Sequence, residues 1–202
     1  DMESKFRCII HGSFGKHFAE LLRVRQLFTE AGIEVLAPKA GELSGSNNGF
    51  ALFDDELDQD PRLIELLYLH NLKLLGPNGF SYFVAPEGYI GKSASYELGI
   101  TQLTNTRCFF SHELDDHPAY VHRNAVWPAE SLVDYILDKG ELPAPYVHRN
   151  EKQIHRLWLE LMVPGSVVAA GAIIEHQRTR EILLVKTHKW GHRYSIVGGK
   201  VR

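Results

Sequence analysis

Between Val84 and Gly99 the chain reads Val-Ala-Pro-Glu-Gly-Tyr-Ile-Gly-Lys-Ser-Ala-Ser-Tyr-Glu-Leu-Gly, which sets two carboxylates, Glu87 and Glu97, among three glycines. Gly88 and Gly91 let backbone and ligand approach closely, and Gly99 removes a side chain beside Glu97. A carboxylate in such a setting can attack the anomeric carbon of a sugar or stabilise the oxocarbenium-like transition state of glycosidic bond cleavage. The plainer alternative is a helix-terminal glutamate favoured by the macrodipole and nothing more. Gly88-Tyr-Ile-Gly91-Lys92-Ser93 also approaches a phosphate-cradling P-loop. That motif needs four residues between its glycines where this chain has two, and Pro86, at the place of the first glycine, has no N–H to offer.

These residues need a frame to hold them. The apolar run over 80–85, the Pro/Gly-punctuated loop and the amphipathic segment over 93–104 predict strand, loop and helix, with Glu97 in the helix's first turn. In open α/β sheets ligands bind at the carboxyl ends of strands, against the start of the next helix. Upstream, 5–10 predicts a strand and 11–17 a turn, followed by a helix with Phe18, Leu21, Leu22, Arg25 and Phe28 on one face. Backbone N–H groups around Ser13 to Gly15 can take an anionic or hydroxyl group, with Lys16 and His17 adding charge. A tight turn with a solvated Lys-His pair is the simpler reading of the same residues.

Residues 33–37 predict a second strand, closed by Pro38. The Gly/Ser/Asn-rich stretch over 41–49 predicts a mobile loop or a lid, and 50–53 a short strand. Asp54, Asp55, Glu56, Asp58 and Asp60 read as a solvated face, because their spacing matches no calcium loop. Asp60-Pro61 predicts the N-cap and first position of a helix that turns Leu63, Leu66, Leu67, His70 and Leu74 toward the core. A strand over 106–110, an irregular connection over 111–127 and a helix over 128–138 stopped by Gly140 complete the series. Strands alternating with helices predict an α/β fold, a flavodoxin-like doubly wound parallel sheet.

With 202 residues, 44% hydrophobic and 23% charged, the composition is that of ordinary globular material. A formal net charge of -3 gives no footprint for DNA or an anionic membrane. No apolar run reaches a membrane span of about 18 residues, and the opening residues do not read as a signal peptide. The two cysteines, Cys8 and Cys108, fall inside predicted strands and read as buried free thiols of a reducing cytoplasm.

Pro86-Glu87-Gly88-Tyr89-Ile90-Gly91 followed by Tyr96-Glu97-Leu98-Gly99 resembles the signature of the nucleoside 2-deoxyribosyltransferase family and its relatives that hydrolyse nucleotide N-glycosidic bonds. Ile10-His11-Gly12-Ser13-Phe14 is similar to that family's first strand and turn, and the resemblance covers about residues 5–140. It implies Glu97 as nucleophile and Glu87 as the loop's acidic residue, where the family more often has aspartate. The substrate pocket would be built from Gly12, Ser13, Phe14, Lys16, His17, Gly88, Tyr89, Gly91 and Ser93. It further implies no cofactor for this domain, and a homo-oligomer in which neighbouring chains complete the pocket. One departure is that Asn78-Gly79 stands where relatives carry an aspartate at the start of the central strand. The carboxylate expected to assist at the base or sugar is therefore absent or supplied from elsewhere.

The organisation changes after Gly140. Glu141-Leu-Pro-Ala-Pro145 reads as a linker, and 151–163 predicts a helix. Beyond it, 167–174, 181–186 and 194–197 are strand-like runs with no helix between them, which marks a domain boundary. The expected division is 1–140, a connecting segment over 141–165, and a β-rich segment over 166–202. Val168-Ala-Ala-Gly171, Ile182-Leu-Leu-Val185 and Ser195-Ile-Val-Gly198-Gly199-Lys200 resemble the opening of a Nudix hydrolase domain. Mg2+ is implied only for a complete domain of that kind, whose metal-binding glutamates lie beyond Arg202, so Nudix activity is not expected of this chain.

Two functions follow as expectations. One is cleavage or transfer at the N-glycosidic bond of a nucleoside or nucleotide through Glu97, with Lys16, His17 and Lys92 favouring an anionic substrate. The other is a non-catalytic nucleotide sensor regulating the attached Nudix-like domain, favoured by Asn78-Gly79 and opposed by the retention of Glu97.

Overall fold

A computed structural model describes residues 5–47, 50–104, 106–115, 117–119 and 121–144 of a first compact unit. Of a second unit it describes 169–172, 182, 184–187, 193–195 and 197–200. The first unit runs β1 (Arg7–Gly12), α1 (Phe14–Glu30), β2 (Glu34–Ala37), β3 (Leu43–Asn47), β4 (Phe50–Phe53) and α2 (Pro61–His70). It continues through β5 (Gly79–Val84), α3 (Lys92–Leu103), β6 (Cys108–Phe110) and α4 (Ala129–Lys139).

Four of these strands form one sheet in the order β2-β1-β5-β6, and every pairing in it is parallel. Parallel neighbours cannot be joined by a hairpin, so each step along the sheet spends a connection that contains a helix. Side chains alternate across β1 and β5. Cys8, Ile10, Phe80, Tyr82 and Val84 pack with α1 and α4, while Phe83 and Ala85 pack with Ile90, Ala94 and Leu98 at and within α3. Both faces are thus covered, which is why all six residues of β5 are buried and its sequence is almost wholly apolar. Ser81 is the polar exception, and it shares the α3 face with Phe83 and with His11.

Local chemistry sets the ends of the elements. Asp60 caps α2 by accepting the Arg62 N–H, with Pro61 at the first helical position. Gly140 closes α4 in the left-handed conformation at φ 64°.

Several expectations are corrected. β1 continues two residues beyond the expected end at Ile10, so His11 and Gly12 belong to the strand and not to a turn. α1 begins at Phe14, with His17 departing from helical geometry at φ -129°, and its fully buried residues are Leu21, Val24 and Phe28. The polar stretch expected as a loop contains β3, which pairs antiparallel with β4. No residue of α2 is fully buried, and the leucines expected in the core are exposed, Leu66 at 60%. Apolar residues surround this helix, so periodicity could not say which side faces inward.

In the second unit β7 (Ala169–Ala172) pairs antiparallel with β10 (Val197–Lys200), and β8 (Val185–Thr187) pairs antiparallel with β9 (Arg193–Ser195). The run expected over 194–197 is therefore divided between β9 and β10. The helix expected over 151–163 lies outside the described residues, as does the connecting segment apart from residues 141–144. Among the described residues no helix is long and apolar enough to cross a membrane.

Candidate functional site

β1 and β5 end side by side, with Gly12 in register with Val84. The chain then turns into α1 after Ser13 and into α3 after Gly91. Two helix N-termini and two strand ends consequently meet at one place, where a cavity of about 700 Å³ opens. Unpaired N–H groups at such termini favour anions and hydroxyls. Gly12, Ser13, Phe14, Lys16, Tyr89, Gly91, Ser93 and Glu97 all line it, so most of the residues expected from sequence are brought together.

Glu97 is the sixth residue of α3, in its second turn and not its first. The field of a helix end fades within the first turn, so the macrodipole does little for this carboxylate. A histidine does more. His11 Nδ1 lies 2.5 Å from Glu97 Oε2, and His11 Nε2 lies 2.9 Å from Ser81 Oγ. A carboxylate oxygen accepts, so Nδ1 donates, which leaves Nε2 to accept from the Ser81 hydroxyl. The imidazole is stacked on Phe83 at 4.5 Å between centroids and meets the edge of Tyr68 at 5.7 Å. Tyr68 is itself tied down, donating its hydroxyl to the Ile10 carbonyl.

Ser81, His11 and Glu97 together have the composition of an acyl-transfer triad, but their accessibility is the reverse of one. Ser81 and His11 are fully buried and line no part of the cavity, whereas Glu97, only 5% exposed, does line it. Among the three, the glutamate is the group a ligand can touch.

A second carboxyl group enters from α2. Glu65 lines the same cavity, and its Oε1 is buried without a hydrogen-bond partner. Burial, then the charge of Glu97 and a hydrogen bond with it, push the Glu65 carboxyl up to about 8. At neutral pH it therefore holds a proton beside Glu97.

Lys16, Lys39 and Lys92 line the cavity as well. Lys16 Nζ sits 4.6 Å above the Tyr89 ring and 3.8 Å from the Glu87 carboxylate. Glu87 itself, Gly88 and His17 do not line it. The Glu87 side chain is 82% exposed, and its backbone is the one non-glycine site among the described residues with positive φ, at 55°. His17 turns its ring edge to Tyr89 at 6.0 Å.

Gly88 serves as a packing point behind the cavity. Its φ of 76° and the 2.6 Å that would separate an added Cβ from the Asp115 amide nitrogen admit only glycine. The irregular connection after β6 braces this loop: the Asp115 N–H donates to the Gly88 carbonyl at 3.0 Å, and the Ala85 N–H donates to Ser111 Oγ at 2.8 Å.

Asn78 and Gly79 lie elsewhere. Gly79 opens β5, five residues before Val84, which puts it about 17 Å from the end that meets the cavity. A side chain there would also bring its Cβ within 2.4 Å of Leu75 Cβ. The departure at this position therefore takes no carboxylate from the cavity of this chain.

His11, Ser81, Glu65 and Tyr68 were not among the residues expected to form the site. The polar His11 and Ser81 inside otherwise apolar strands were the available signal, since a polar group buried in a sheet needs a partner. Among the described residues no group of three or more His, Cys, Asp or Glu side chains is placed to hold a metal ion, so the Mg2+ implied by the Nudix resemblance has no candidate ligands there. Compared with protein-family models and with curated proteins, the chain matches none.

Proposed function

We propose that the first unit cleaves or transfers at the N-glycosidic bond of a nucleoside or nucleotide, with Glu97 as nucleophile. The observation that carries this reading is a buried glutamate fixed by His11 and presented to a cavity at the ends of two parallel strands. Glu97 attacks C1′, the bond from C1′ to the base nitrogen breaks, and the base departs. Water or a second base then attacks C1′ and frees Glu97. Tyr89 offers a ring to orient the base, and Ser13 with the N-terminus of α1 suits a sugar hydroxyl or a 5′-phosphate. Lys16 and Lys92 at the cavity favour the phosphorylated substrate, whereas Lys39 is paired with Asp55 and Glu56.

The finer fold assignment belongs to the same reading. The four-strand order is compatible with a flavodoxin-like doubly wound domain, and the short antiparallel pairs of the second unit suit the opening of a Nudix-like one. A cytoplasmic homo-oligomer is what the resemblance adds.

The test is chromatography of free base released from nucleosides, deoxynucleosides and their monophosphates by the chain and by its Glu97→Ala variant. Release by the wild type alone supports the reading and identifies the favoured sugar. No release from any member, with tight nucleotide binding by calorimetry, overturns it in favour of the sensor.

A further inference from the structure

The cavity holds a second carboxyl group that the resemblance does not supply. We infer that Glu65 is the acid that hands a proton to the departing base, and the base that afterwards activates the attacking water or acceptor. This rests on the glycosidic reading of Glu97.

Geometry carries the inference. Glu65 reaches the cavity from α2 and lines it together with Glu97. Its Oε1 is buried with no partner, whereas the neighbouring polar groups His11, Ser81 and Tyr68 each have one. An unsatisfied buried oxygen beside a nucleophile is costly unless a ligand completes it. Paired carboxyl groups in one site cannot both ionise, so one is held protonated next to one held charged, which is the division that retaining glycosidic chemistry uses. The titratable groups around Glu65 are Glu97 from α3, His11 from β1 and Tyr68 from its own helix, with Lys16, Lys92 and the paired Lys39, Asp55 and Glu56 on the cavity wall. His11 is committed to Glu97 and Ser81, which leaves Glu65 to meet the base.

The step balances. As Glu97 forms its bond to C1′, the electron pair of the breaking C1′–N bond stays with the base, which takes the Glu65 proton. Glu65, now a carboxylate, accepts a proton from the water or second base that attacks C1′, and Glu97 leaves as a carboxylate. Neither an oxidant nor a metal is consumed.

The experiment compares the best substrate of the nucleoside panel with its ring-N-methylated, cationic counterpart, whose base leaves neutral without taking a proton. At about pH 6, Glu65→Gln should lower kcat/KM at least about 100-fold for the ordinary substrate and by less than about threefold for the methylated one. Glu97→Gln should abolish both. In the wild type, which needs no variant to fold, the rate with the ordinary substrate should fall as pH rises through about 8, and the methylated substrate should lack that limb. Equal losses on both substrates, or none on either, with an active wild type would overturn the role of Glu65 and leave Glu97 in place. A wild type that releases base from neither substrate would overturn the glycosidic reading and this inference with it.

Discussion

At the scale of single residues, the candidate site is a set of buried polar groups, His11, Ser81, Glu97 and Glu65, and each has a measurable consequence for stability. Glu65 titrates at about 8 in the folded chain against an ordinary value of 4.5. Between these two values the native state keeps a proton that the unfolded chain has lost, so unfolding free energy declines as pH rises through that window and levels off above it. Glu65→Gln removes the dependence. Its melting temperature is expected to exceed that of the wild type at pH 9 and to match it at pH 4, as scanning calorimetry would record. Substitution of His11 works in the opposite direction. His11→Ala strips Glu97 of its donor and leaves the carboxylate buried, a loss of about 3–5 kcal/mol in urea unfolding. A loss below about 1 kcal/mol would mean that water replaces the imidazole.

Elements decide which of these residues a sequence can reveal. The loop between β5 and α3 is legible because proline and glycines in close succession permit few conformations, and Glu97 follows it on α3 at the cavity. β1 was cut short because a histidine ends an apolar run as readily as it sits in a strand, yet Ser81 and Glu97 satisfy both ring nitrogens and keep His11 inside. α2 was legible as a helix from its cap but not in its orientation. Leu63, Ile64, Leu66, Leu67, Tyr68 and Leu69 surround its one acidic residue, and packing turns Ile64, Glu65, Leu67 and Tyr68 to the cavity while Leu63 and Leu66 face away and stay exposed. β3 has little strand propensity of its own and pairs because β4 brings Phe50, Ala51 and Phe53 to the cavity wall. The loop's geometry can be tested directly. Gly88→Ala forces a methyl against the Asp115 backbone at positive φ and is expected to cost about 1–3 kcal/mol in unfolding free energy. Base release should weaken with it, since Tyr89 and Gly91 are carried by the same loop.

At the scale of the whole molecule, the alternation of strands and helices was the most legible feature, because a parallel sheet demands a helix-bearing return for every strand and imprints that demand on the whole first unit. The two compact units divide between Trp158 and Leu159. Every group in the proposed chemistry lies before residue 145: the nucleophile on α3, its histidine on β1, the acid on α2 and the lysines at the rim. A unit with its own sheet and core on both faces is a candidate for independent folding. A chain ending at Trp158 is therefore expected to release base at a rate within about threefold of the full chain, with a single cooperative melt. The opposite result has a definite meaning. If truncation abolishes release while the melt is preserved, the second unit contributes a group to the reaction, and Glu97, His11 and Glu65 are then only part of the site.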